Sequence, residues 1–117
     1  MQEQDSPGSP PPATARPVMG FAWYEPASFE ALRARMPDMS SSYEDWRIGA
    51  TRDLRHHEAQ GYRVIRISLR PPQFFAWCAG RGIQAPGVRE RRQFAAEGAR
   101  TVLRAEKAAP RRGFALF

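Results

Sequence analysis

Apolar positions recur along this chain with two periods, and each change of period marks an element. The apolar run Met19-Gly20-Phe21-Ala22-Trp23-Tyr24 reads as a first strand. Beyond it, Phe29, Leu32 and Met36 recur at spacings of three and four, which is the repeat of one helix face. Pro26 sits where a first helical turn tolerates proline. A helix from about Pro26 to Arg35 is predicted, ended by Pro37 because the residue before a proline avoids the helical region.

The stretch from Ser42 to Trp77 has the clearest punctuation. Ser42 is placed to cap a helix running to about Gln60, with Asp45 reaching back as in a capping box. Glu44 and Asp45 lie in its first turn, where the helix dipole favours negative charge. Trp46, Ala50, Leu54 and His57 form its apolar stripe, with Tyr43 beside it. Gly49 interrupts the helix at a cost of about 1 kcal/mol relative to Ala. It either admits a neighbouring backbone or is tolerated, and tolerance is the plainer reading. Gly61 supplies a left-handed stop. From Tyr62 to Leu69 the period is two, with Ile65, Ile67 and Leu69 on the core face and Val64, Arg66 and Ser68 opposite. Pro71-Pro72 opens a third helix that buries Phe74, Phe75 and Cys78 and closes at Gly80 or Gly82. A last helix runs from about Pro86 to Ala108, with Val88, Phe94, Ala95, Val102 and Leu103 on its apolar stripe.

These elements predict a small, helix-dominated α+β domain over residues 19–109, in the order β-α-α-β-α-α. The two strands would pair in parallel through a right-handed crossover, with helices covering one face of the pair. Residues 1–18, punctuated by Pro7, Pro10, Pro11, Pro12 and Pro17, have too little apolar surface to offset their ordering entropy. A disordered leader is expected there, in preference to a Pro-rich ligand for an aromatic groove. Residues 110–117 read as a mobile basic and aromatic tail.

Charge changes this picture more than composition does. Of the 117 residues, 18 are basic and 12 acidic, giving +6, but residues 1–61 carry −3 while residues 62–117 carry the excess of base. An acidic half joined to a basic half can steer anionic partners. Cys78 is the single cysteine, which leaves no internal disulfide and no cysteine-based zinc site, and suits a reducing cytoplasm. The start of the chain, with Glu3 and Asp5, does not read as a signal peptide, and no apolar run approaches membrane-spanning length. A cytoplasmic protein with no membrane partner is expected.

Trp23-Tyr24, Tyr43-Glu44-Asp45-Trp46, Gly61-Tyr62-Arg63-Val64, Phe75-Ala76-Trp77-Cys78 and Gln93-Phe94-Ala95-Ala96-Glu97 together resemble a group of small, uncharacterised proteobacterial proteins. The likeness spans roughly Gly20 to Arg100 and leaves out both ends. It implies a bacterial source and one compact domain, and it implies no activity, cofactor or site.

Candidate chemistry is sparse. His56 and His57 are adjacent, about 100° apart on a helix, and cannot chelate one ion as an i, i+4 pair does. Cys78 falls on an apolar stripe, where a small buried residue is the favoured reading over a nucleophile paired with histidine. Glu44 and Asp45 are explained by the helix first turn. Gly80-Arg81-Gly82 lacks the rest of a dinucleotide motif. No cofactor is expected.

The basic residues Arg66, Arg70, Arg89, Arg92, Arg100, Arg104 and Lys107 are the candidate contacts to a nucleic-acid backbone. Glu90, Glu97 and Glu106 interrupt that run, so a solvated face is the favoured reading. The expectation is a binding or accessory module without catalysis, acting on another macromolecule, with protein the favoured partner. Nucleic acid is the alternative, and an enzyme with an unrecognised site comes third.

Overall fold

The computed structural model describes residues 16–109; most of the expected leader and all of the expected tail lie outside them. The strands β1 (Val18–Trp23) and β2 (Arg63–Ser68) pair in parallel, from Val18 opposite Arg63 to Trp23 opposite Ser68. Helices α1 (Pro26–Arg33) and α2 (Tyr43–Ala59) lie between them in sequence, and α3 (Pro71–Gly80) and α4 (Val88–Ala108) follow. The α+β class and the β-α-α-β-α-α order are those the periodicity predicts.

Local chemistry sets the element ends. Pro26 and Pro71 open α1 and α3. At α2, Ser42 Oγ accepts the Asp45 N–H at 3.0 Å, a cap that contributes about 1 kcal/mol. The return bond of a capping box occurs at α4 instead, where Glu90 Oε1 accepts the Gly87 N–H at 2.9 Å. Gly61 stops α2 with φ at 103°, a conformation that favours glycine.

Helices cover both faces of the strand pair, a correction to the one-faced cover expected. α4 lies across the face that carries Gly20 and Ile67, and it comes very close. A Cβ added at Gly20 would overlap the Ala95 carbonyl oxygen, and one at Gly98 would stand 2.7 Å from Ile67 Cγ2. On the other face α2 sets Trp46 against Trp23 and His57 against Phe21, with ring centroids 5.0 and 6.4 Å apart.

The buried side of α4 is centred on Ala95, as predicted, but its members differ from those expected. Arg91, Ala95 and Ala99 are buried, whereas Val88 is 47% exposed. Small residues let this helix sit flat on the sheet, so bulkier neighbours are displaced to its flanks.

The core lies beyond the strand ends. Tyr24 and Leu69, which follow β1 and β2, pack with Phe29, Leu32, Met36, Met39, Phe74 and Cys78. Burying a side chain such as Phe29 or Leu32 contributes about 1.5–3 kcal/mol. No helix among the described residues is long and apolar enough to cross a membrane.

Candidate functional site

A two-stranded sheet has two edges, and the one on β1 opens into a cavity of about 760 Å³. In the parallel ladder Pro17 O accepts from Arg63 N–H and Trp23 O accepts from Leu69 N–H. Alternate residues of a strand therefore bond to the partner, and Val18, Gly20 and Ala22 turn their N–H and C=O groups away from β2, those of Gly20 and Ala22 toward the cavity. One wall is α2, which presents Asp45, Gly49, Asp53 and His57 at intervals of four residues. The start of α4, with Val88 and Arg92, forms the other. The Tyr43 hydroxyl donates to Tyr24 O at 3.3 Å and closes the upper end of the edge.

Arg91 and Asp38 fasten the floor of this cavity to the core. Arg91, only 7% exposed, is the one buried charged residue among those described. Its guanidinium donates to Asp38 Oδ1 and Oδ2 at 3.2 and 2.6 Å and to Met36 Sδ at 3.3 Å. The hydrogen bond from Arg91 holds the Asp38 carboxyl below its ordinary pKa, and burial pushes the nearby Tyr24 hydroxyl up. Sequence reasoning missed this pair. The signal was a charge at position 91, four residues before Ala95, inside what proved to be the buried stripe.

The basic candidates separate into two groups. Arg89, Arg92, Arg100, Arg104 and Lys107 are all exposed, but only Arg89, Arg100, Arg104 and Lys107 lie on the side of α4 away from Ala95 and Ala99, while Arg92 stands at the edge of the groove. Arg92, Arg100 and Lys107 form no ion pair among the described residues. Arg66 and Arg70 are not brought to that side. The Arg66 guanidinium lies 4.2 Å over the Trp23 ring, and Arg70 precedes α3 at its N-cap.

The three glutamates expected to interrupt the basic run are engaged elsewhere. Glu90 caps α4 and contacts Arg89. Glu97 accepts from Arg81 at 2.8 and 2.9 Å and from Trp77 Nε1 at 3.0 Å. The Arg81 hydrogen bonds, with that of Trp77 next, lower the Glu97 pKa to about 2. Glu106 takes both Arg63 nitrogens, at 3.0 and 2.7 Å. Four of the cations thus share one helix side, with Arg92 and the glutamates along its border.

The pairings weighed for catalysis are not assembled. Cys78 is buried in the core cluster, and burial raises its pKa, the direction of an unreactive thiol. His57 lies at the lower end of the groove between the rings of Phe21 and Tyr62, its Nδ1 without a hydrogen-bond partner. Glu44 turns to Arg47 while Asp45 faces the groove, so the adjacent carboxylates diverge. No group of three or more His, Cys, Asp or Glu among the described residues is placed to hold a metal ion.

No family model, curated protein or solved structure matches this chain. Any functional reading therefore rests on the groove beside β1 and the basic side of α4.

Proposed function

We propose that the protein is a small binding or accessory module without a catalytic centre, acting on another macromolecule, and that a protein partner is held in the groove along β1. The observation that carries this reading is the strand edge left open between two helices. Buried backbone donors and acceptors are nearly always paired in folded proteins, and a lined edge is a standing template for a partner. A cytoplasmic setting fits the single buried thiol of Cys78.

Gly49→Leu tests the assignment. Gly49 lines the groove, and a Cβ there would meet only the Arg52 guanidinium, at 3.7 Å, so a longer side chain is expected to narrow the groove with no clash at its root. Tagged wild-type protein is expected to retain a defined protein from nuclease-treated bacterial lysate, and the Gly49→Leu protein to lose it. Equal retention by both would place the interaction elsewhere.

One observation favours a second reading, in which α4 binds a nucleic-acid backbone. The glutamates that would have repelled phosphate are engaged by Arg81, Arg63 and the Gly87 N–H. Binding of this kind weakens steeply with salt, so a mobility shift on random DNA or RNA at two salt concentrations separates it from the groove.

A further inference from the structure

The geometry points to strand addition at β1: the groove takes an extended segment of a partner protein that carries two basic side chains four residues apart and a large apolar one midway between them. This deepens the groove assignment above and rests on it.

Three features define the occupant. The first is the edge itself, where Val18, Gly20 and Ala22 offer alternating main-chain donors and acceptors over the length of a short strand. Main-chain bonding of this kind recognises extended backbone, leaving specificity to alternate side chains.

The second is shape. Because α2 and α4 flank β1 on opposite faces, the edge is recessed between them. A second copy of this domain would have to bring the helices on both faces of its own sheet against the walls of the groove. A single strand, bare on both faces, can enter.

The third is charge and spacing on the α2 wall. Asp38 is consumed by Arg91, which leaves Asp45 and Asp53 as the carboxylates facing the groove. Asp45 has no ion pair among the described residues, and Asp53 has only the 3.7 Å approach of its neighbour Arg52. Eight helical residues advance about 12 Å. Four residues of an extended segment advance about 13 Å and return to the same face. Lysine or arginine side chains four apart therefore meet Asp45 and Asp53 together. The residue midway between them stands over Gly49, where the wall has no side chain and Trp46 and Ala50 are adjacent.

The probe is a capped, labelled heptapeptide with lysine second and sixth, phenylalanine fourth and valine between, used with the full chain. Fluorescence anisotropy is expected to show saturable binding, with the Gly20 and Ala22 amide resonances shifting in NMR spectra. Glutamate in place of both lysines should weaken binding at least tenfold. Methylating the alternate backbone nitrogens that face β1 should do the same. Asp45→Asn with Asp53→Asn should bring the lysine and glutamate peptides within about threefold of each other, with the spectrum of the free protein otherwise retained.

Undiminished binding of the methylated peptide would overturn strand addition, and equal binding of the glutamate peptide would overturn the charge assignment. No binding at millimolar peptide, with Gly49→Leu still abolishing capture of the protein partner, would defeat the strand mode and leave the groove reading standing. Capture unaffected by Gly49→Leu would defeat that reading itself. A mass that doubles with concentration while the Gly20 and Ala22 amides become protected would assign the edge to a second copy and overturn the proposal.

Discussion

Gly20 carries more of the fold than its size suggests. Its missing side chain is what lets the Ala95 carbonyl of α4 rest on β1. Gly20→Ala gains up to about 1 kcal/mol from a stiffer unfolded chain, but forcing a methyl against helix backbone costs about 1–3 kcal/mol. The overlap wins. Thermal unfolding should show Gly20→Ala lowering Tm by several degrees, while Gly80→Ala, with nothing within 4 Å, leaves it unchanged or raised. Neither glycine is distinguishable by sequence, because what decides the matter is a helix 75 positions further on. Glu97 gives a second test at this scale. Its pKa of about 2 lies below the ordinary value of 4.5, so its contribution is whole above that ordinary value and is lost as pH falls through about 2. The Trp77 indole N–H resonance should therefore titrate at that low pH in the wild type and show no such step in Glu97→Gln. A step near pH 4.5 in the wild type would remove the Arg81 and Trp77 bonds as its cause.

Among the elements, α4 was the least faithfully read. Its span and the side centred on Ala95 are legible, since its pattern is long and periodic, but the residues that fill that side are not. Val88 falls on the predicted stripe, whereas the flat approach to the sheet selects Ala95, Gly98 and Ala99 and buries Arg91 against Asp38. The shorter elements were legible because prolines and glycines bound them within a residue or two. The groove was not legible, because it exists only where β1, α2 and α4 meet. Should α4 engage duplex DNA with all five cations, log K against log salt has a slope of about −4.5. Changing Arg89, Arg92, Arg100 and Arg104 to Ala removes about 3.6 of it. A slope that survives those changes would move any nucleic-acid contact off this helix.

At the scale of the molecule, stability is concentrated at one end. The apolar cluster surrounds Tyr24 and Leu69, while the opposite end is held by the Arg63–Glu106 pair, whose side chains remain substantially exposed. Exposed pairs contribute about 0–1 kcal/mol, so the strand pair should fray from that end. Hydrogen exchange should find the Leu69 amide, bonded to Trp23 O, slower than the Arg63 amide, bonded to Pro17 O. The reverse order would mean that the core cluster does not anchor the sheet.

The parallel register has one more consequence, for time. Each residue of β1 finds its partner 45 positions later, so neither strand gains a ladder bond until the chain between them has closed. Helices such as α2 form in about a microsecond or less, whereas contacts so distant in sequence set the slower pace of mixed α/β domains. During that interval both strand edges are bare, the state in which the chain is most open to wrong pairing.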